Sequence, residues 1–161
     1  MTGQLIHDKL ITDFAAFTFE GGADMFSKVQ KFYASDSMGA LNCLIIPDSN
    51  QETVEGLSAG NTATTREYAF RAVVIEVIEE ADTDAEGSLK YSRLMNVTDE
   101  ILDYLQKEPN NLRAWGNTNN LNIFKNRIRS VRYDTVESTA GYAVLLEVIF
   151  GVYLNVIPQN L

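Results

Sequence analysis

The chain has 161 residues, a mass of 18.0 kDa and 45% hydrophobic residues, which fits one globular domain. Thirteen basic and 22 acidic side chains give a net charge of -9 at pH 7. Such a surface repels phosphate backbones and anionic lipid headgroups, so the charge argues against tight sequence-general DNA binding.

The single cysteine, Cys43, allows no disulfide within the chain, which suits a reducing compartment. The start, Met1 to Leu10, lacks a continuous apolar run, so we expect no signal peptide. The longest apolar stretch, Tyr142 to Ile157, is interrupted by polar residues and glycine and is too short to span a bilayer. No membrane partner is therefore expected.

Two helices and a strand are predicted at the start of the chain. Apolar residues from Leu5 to Phe17 recur at intervals of three and four, which is typical of one helical face. The same spacing from Met25 to Tyr33, after the Gly21-Gly22 break, predicts a second, short helix. The run from Leu41 to Ile46 predicts a strand stopped by Pro47.

The segment from Asp48 to Thr65 is polar and contains two glycines. Val54 and Leu57 are its only larger apolar side chains. We interpret it as a long loop, and two readings stay open: a contact surface that uses Val54 and Leu57, or a solvated loop with no role.

A buried strand and a long helix are predicted next. Arg66 to Ile78 becomes apolar on both faces, as in a central strand. Thr83 and Ser88 are candidate caps of a helix from Leu89 to Glu108. Acidic residues occupy the end of the strand and the approach to the helix: Glu76, Glu79, Glu80, Asp82, Asp84 and Glu86. Negative charge there favours a helix N-terminus.

The last third of the chain predicts an irregular segment and a hairpin. Pro109 to Leu121 is rich in asparagine and holds the only tryptophan, Trp115. Ile123 to Val136 and Tyr142 to Ile157 read as two antiparallel strands, the second with apolar residues at every other position. The predicted fold is a single α+β domain over residues 1–161, a twisted, mostly antiparallel sheet packed by two to three helices.

The sequence offers no catalytic or metal-binding set. The only histidine, His7, falls on the polar side of the first helix and is expected to face solvent, and Cys43 sits in an apolar strand where thiols are packing groups. One Cys and one His make no zinc site, and the Asp82–Asp84 pair lacks the glycine and distal glutamate of a calcium loop. We therefore expect no enzyme activity and no cofactor.

A basic cluster lies on the first strand of the hairpin. It consists of Lys125, Arg127, Arg129 and Arg132. Arg127 and Arg129, two residues apart on a strand, are expected to share a face. They pair with acidic groups either within their own sheet or on a neighbouring copy, and the sequence leaves both open.

Acidic and basic segments on one chain permit head-to-tail binding of identical subunits, which closes into a ring when the rotation allows. Glu76, Glu79 and Glu80 are the candidate acidic side of such a contact. Trp115 is either an anchor of the contact or a plug of the domain's own core.

The order of these elements resembles the tail terminator proteins of long-tailed, lambda-type bacteriophages over nearly the whole chain. The resemblance rests on a hydrophobic strand, an acidic turn into a long helix, and a closing hairpin. These passages read YAFRAVVIEVIEEADTD, LKYSRLMNVTDEILDYLQKEP and IFKNRIRSVRYDTVESTAGYAVLLEVIFGVYLNV. The polar Asp48 to Thr65 segment and the extra short N-terminal helix depart from the family's simplest pattern.

The resemblance implies a virion protein that forms a homohexameric ring at the head-proximal end of the tail tube and is assembled in the host cytoplasm. It further implies contacts with the tail tube protein and the head–tail connector, and passage of DNA through the ring without specific binding. Two alternatives remain: a phage neck or head-completion protein, and a small acidic ligand-binding domain around Glu76 to Asp84.

Overall fold

A computed structural model describes residues 2–32, 41–48, 53–58, 61–107, 111–138 and 141–156; the side chains of 53–58, 61–64, 138 and 156 are not part of that description. It contains three helices and six strands within these ranges. In chain order they are α1 Thr2–Ala15, β1 Lys28–Gln30, β2 Asn42–Pro47, β3 Thr53–Ser58, β4 Asn61–Glu79, α2 Asp84–Gln106, α3 Asn111–Thr118, β5 Ile123–Ser138 and β6 Gly141–Val156.

The six strands form one sheet in the order β1-β2-β4-β6-β5, with β3 paired to the start of β4. β1 runs parallel to β2, and the other pairs are antiparallel. The 19-residue β4 is the central strand because it pairs with β2, β3 and β6. The predicted α+β fold with a mostly antiparallel sheet is confirmed.

The main core lies between the helices and one face of this sheet, which we call the helix face. On β4 and β6 the residues of this face are even-numbered, so the period-two pattern predicted for the last strand is confirmed. Its buried members include, from the helices, Ile6, Leu10, Phe14, Leu94, Val97, Ile101 and Leu105 and, from the sheet, Phe70, Ala72, Val74, Leu146, Val148, Phe150 and Val152.

The opposite surface of the sheet, here the charged face, holds a smaller apolar cluster of Leu44, Val73, Ile75 and Ala143. No residue of α1, α2 or α3 belongs to that cluster in the part of the chain that the structure describes. The charged face also carries the odd-numbered polar residues of β4 and β6, and these build the site described below.

Two of the three predicted helices, α1 and α2, are confirmed. Thr83 is the N-cap of α2, and it forms a capping box with Glu86, so the helix starts earlier than predicted and Ser88 lies inside it. Neither they nor α3, the helices within the described ranges, combine the length and apolar character needed to cross a bilayer.

The prediction of a helix from Met25 to Tyr33 is wrong. Gly21 and Gly22 adopt φ values of 106° and 88°, and the chain turns back so that the Met25 N–H donates to the Phe17 carbonyl at 2.8 Å. The short strand β1 then pairs with β2. A nine-residue helix is only marginally stable by itself. Hydrogen bonds from the backbone of β1 to β2 and the burial of Met25 therefore favour the extended conformation over the helix. Tyr33 lies outside the described residues.

The prediction of a long loop from Asp48 to Thr65 is also wrong within the described residues. β3 and the first residues of β4 form an antiparallel hairpin that runs from the Thr53–Arg66 pair to the Ser58–Asn61 pair. Threonines and Val54 suit extended backbone, so a polar composition is compatible with a hairpin here. Residues 49–52 and 59–60 lie outside the described residues.

Pro109 to Leu121 is not irregular as predicted, because α3 occupies Asn111–Thr118. Leu112 and Gly116, one turn apart, are buried against the start of β5. Asn120 has a φ of 57° and reverses the chain just after the helix. The helix was not predicted because the segment is rich in asparagine and its buried face is only one turn long. Residues 108–110 lie outside the described residues.

The predicted closing hairpin is confirmed as β5 and β6, which pair from Ile123–Leu154 to Ser138–Gly141. Two register shifts interrupt β5, one between Ile123 and Lys125 and one between Ile128 and Ser130. The second shift leaves Arg129 in a bulge, which redirects its side chain.

Candidate assembly surface

A chain of alternating charges crosses the charged face from β2 to β5. Arg71 of β4 lies 3.5 Å from Asp48, just after β2, and 3.0 Å from Glu147 of β6. Arg132 of β5 brings its Nε to 2.6 Å from the other Glu147 oxygen, off the hydrogen-bonding direction. Asp48 and Glu147 are buried, and each needs a cation beside it. The Asp48–Arg71–Glu147–Arg132 row therefore ties four strands together.

A second pair lies beside this row. Glu67 of β4 is buried and pairs with Arg129 in the β5 bulge, across the intervening strand β6. Gly151 of β6 makes the crossing possible: a Cβ there would lie 1.9 Å from Glu67 Oε1. Arg129 thus pairs within its own sheet, one of the two alternatives left open by the sequence.

The other basic residues of the cluster differ from Arg129. Lys125 and Arg127 are opposite Tyr153 and Gly151 in the register, which places them on the charged face, and both are exposed. Neither forms an ion pair with any residue that the structure describes. We call Lys125 and Arg127 the free positive charges of β5, because they form no ion pair with a described residue.

Glu76, a candidate for the acidic side of a contact, is buried on the helix face, with 1% of its surface exposed. Arg93 of α2 approaches it to 3.3 Å, and the Val77 N–H donates to it at 3.1 Å. Burial raises the pKa of Glu76, and Arg93 opposes that shift. This carboxylate is held inside the domain, between β4 and α2.

Of the neighbouring acidic residues, some are exposed to solvent and the others form local contacts. Glu79 and Glu80 are exposed. Asp82 pairs with Lys90 at 2.6 Å, and Glu86 completes the cap of α2. The carboxylates do not converge, and no group of three or more potential metal ligands occurs within the described ranges.

Trp115 and the polar-segment candidates lie in separate places. Trp115 is on α3 and is half-buried against the main core, so one part of its indole plugs the core and the rest reaches the surface. Val54 and Leu57 are in β3, with side chains outside the described residues.

His7 and Cys43 both make contacts inside the domain. His7 faces the sheet, contrary to the prediction that it faces solvent: its Nε2 contacts the Ile45 carbonyl, and its ring lies 5.5 Å from that of Phe70. Cys43 is fully buried in β2, and burial raises the pKa of its thiol. Amphipathic spacing placed His7 on the polar side of α1, and only the position of the sheet beneath the helix determined that its ring faces inward.

An acidic surface that the sequence analysis missed lies on the helix side of the domain. Acidic side chains of α2 and of the segment around the end of α1 line two neighbouring shallow clefts, the larger about 350 Å³. The acids are Asp13, Glu20, Asp99, Glu100 and Asp103, with Lys107 at one end. Spacing of Asp99, Glu100 and Asp103 on the polar side of a predicted helix could have indicated it.

The outer edge of β5 is the second missed feature. β5 ends the sheet, and Val131, Tyr133 and Val136 expose 38%, 50% and 44% of their surface there. An alternating pattern identified the strand, but local sequence does not say which strand lies at an edge.

The fold and site together define a small α+β domain with one six-stranded, mostly antiparallel sheet, helices on one face and ion pairs on the other. No protein family and no curated protein matches the chain. Among solved structures, it is similar to a chain described as "Virion of native gene transfer agent (GTA) particle", with a TM-score of 0.41 and 7% identity, covering 81% of this chain and 80% of that one.

Proposed function

We propose that this protein is a structural virion component, a tail terminator that forms a homohexameric ring at the head-proximal end of a phage tail tube. The ring ends tube polymerisation and offers a surface to the head–tail connector. The observation that carries the proposal is the element order: a long central strand, a capped acidic turn, a long helix and a closing hairpin, the same passage on which the family resemblance rests.

The charge distribution supports self-assembly. Lys125 and Arg127 lie exposed on the charged face, whereas Asp99, Glu100 and Asp103 lie on α2, on the other side of the sheet. Opposite charges on opposite sides of one subunit favour a head-to-tail contact between copies, the kind that closes rings. This α2 surface replaces the Glu76–Glu80 segment as the acidic side, because Glu76 is buried.

A structural role is also supported by how the polar groups are used. The buried acids Asp48, Glu67, Glu76 and Glu147 each face an arginine of the same chain. Acids paired in this way hold the strands and helices of the fold together, which is the use expected in a structural protein. We infer that the chain is not an enzyme and that DNA passes the acidic ring without specific binding.

The test is to mix the purified protein with tubes of the cognate tail tube protein and image them by negative stain. We expect one ring at a single end of each tube and an arrest of tube growth. A protein that stays monomeric and never decorates tube ends overturns the proposal. Binding to DNA-filled heads and not to tubes identifies it as a neck protein.

The charge contact has its own variant. Lys125→Glu/Arg127→Glu removes the free positive charges of β5, so we expect fewer decorated ends with unchanged folding. Lys125→Arg/Arg127→Lys, which keeps both positive charges at the same exposed positions, serves as the matched control.

A further inference from the structure

The outer edge of β5 lacks a strand partner within the described chain, since β5 lies at the end of the strand order. Its register with β6 is regular from Ser130 to Ser138, after the bulge. A regular, extended edge is a template for another strand, which pairs with the backbone N–H and C=O groups that face outward.

Two neighbouring side chains on the helix face of this edge are apolar, and Thr135 and Glu137 follow them on the same face. Val131 and Tyr133 lie opposite Val148 and Leu146, which point into the main core. The Tyr133 hydroxyl lies 2.6 Å from the Thr98 hydroxyl of α2, so its ring is held in one orientation while half of its surface stays exposed. Met95, one helical turn before Thr98, is 61% exposed. Tyr133 thus joins the apolar part of the edge to a turn of α2 on which Met95 is also exposed.

Charges on the charged face of the same edge alternate in sign. Arg132 and Asp134 lie opposite Glu147 and Leu145, two residues apart and on one face. Arg132 lies beside Glu147 but is 59% exposed at its side chain. Asp134 is exposed, accepts from the Thr135 N–H at 3.0 Å and forms no ion pair with a described residue. A strand of the same sequence run in the opposite direction offers the complementary order of charges.

We propose that β5 pairs antiparallel with β5 of a second copy about a two-fold axis at Tyr133. In this register each Arg132 is opposite Asp134 of the other copy, and the two Tyr133 rings face each other. Opposite residues share a face in an antiparallel pair, so the helix faces of both copies stay on the same side.

Neighbouring registers are unfavourable, which makes the contact specific. A shift that centres the axis on residue 132 puts two arginines opposite each other, and a shift to residue 134 puts two aspartates opposite each other. Axes between residues pair a helix-face residue with a charged-face residue and turn one copy over. Only the axis at Tyr133 satisfies both the charges and the faces.

This inference goes beyond the proposed function and does not depend on it. A two-fold contact uses the same patch on both copies and cannot close a head-to-tail ring, so it acts in addition to any ring contact.

Charge reversal tests it in solution. Asp134→Arg places arginines opposite Arg132 at both ends, so we expect self-association measured by sedimentation to weaken on the order of tenfold or more. Asp24→Arg, the same charge change at an exposed residue outside β5 and outside the acidic α2 surface, is the control. Mixing Asp134→Arg with Arg132→Asp restores both opposite-charge pairs, and a mixed dimer should form.

Cross-linking tests the register, and it holds even if Arg132→Asp disturbs the fold by losing its contact with Glu147. Tyr133→Cys brings identical residues within disulfide range, and oxidation should give covalent dimers and nothing larger. Lys125→Cys, outside the overlap, should not, and buried Cys43 gives the background. Absence of Tyr133→Cys dimers, or unchanged association of Asp134→Arg, overturns the inference; ring formation on tubes is scored separately and tests the proposed function.

Discussion

Glu67 and Arg129 form an ion pair across 62 residues of sequence and one intervening strand. Glu67 is on β4 and Arg129 is in the bulge of β5, so the carboxylate crosses β6 to reach its partner. The pair fixes how three strands lie against each other on the charged face. It depends on the absence of a side chain at Gly151, directly beneath the carboxylate.

Gly151→Ala should destabilise the fold by about 2 kcal/mol, because the new methyl group overlaps Glu67 and pushes it away from Arg129. Urea denaturation measures the loss. Gly87→Ala is the matched control: no atom lies within 4 Å of a Cβ at Gly87, and the change on α2 should stabilise by about 0.5 kcal/mol. Equal effects of the two substitutions would contradict the crossing geometry.

Arg129→Met should cost about 3 kcal/mol, because it leaves Glu67 as a buried, unpaired charge. Adding Glu67→Met should recover part of the loss, since the second substitution removes that charge. Lys31→Met is the control for an exposed pair: Lys31 and Asp8 are 44% and 43% exposed, and the loss should stay below about 1 kcal/mol. No recovery in the double variant would argue against a buried ion pair.

Glu76→Gln should gain stability relative to wild type as pH rises above about 4.5, the ordinary pKa of the group. Burial raises the pKa of Glu76 in the folded protein, so folding favours the protonated form. That contribution is fully present below the unfolded pKa and is lost as pH rises through the folded one. Denaturation between pH 4 and 8 measures the difference.

Glu86→Gln should show the opposite pH dependence to Glu76→Gln, because the pKa of Glu86 is lowered and not raised. The backbone and side chain of Thr83 lower the pKa of Glu86, so wild type should lose its advantage over Glu86→Gln as pH falls. Glutamine keeps the capping geometry, which isolates the charge. Parallel pH curves for both variants would contradict the assignment of Glu76 as the buried acid.

Thr83→Ala should cost about 1 kcal/mol by removing the N-cap of α2. Thermal or urea unfolding measures it, with Ser88→Ala, inside the same helix, as the control of small effect. If Ser88→Ala proved the more costly substitution, Ser88 and not Thr83 would be the N-cap of α2.

Sequence periodicity determined the elements that bury a face of their own. Ile6, Leu10 and Phe14 recur at helical spacing, and the even-numbered residues of β6 alternate without a break, so α1 and β6 could be predicted. The pattern is local, because a residue's position on a helix or strand decides whether it faces the core. Fold class followed from these elements and from the capped approach to α2.

The tertiary structure decided what depends on a distant partner. Met25 to Tyr33 has a helical pattern, yet Val29 of β1 lies opposite Cys43 of β2, because backbone bonding to a neighbouring strand outweighs a short helix's propensity. The order of the strands likewise placed β5 at an edge and brought Arg129 within ion-pair distance of Glu67, across β6. The spacing of residues along one strand or helix predicts the face on which a side chain lies. Only the order and register of the strands in the folded sheet determine which distant residue that side chain contacts.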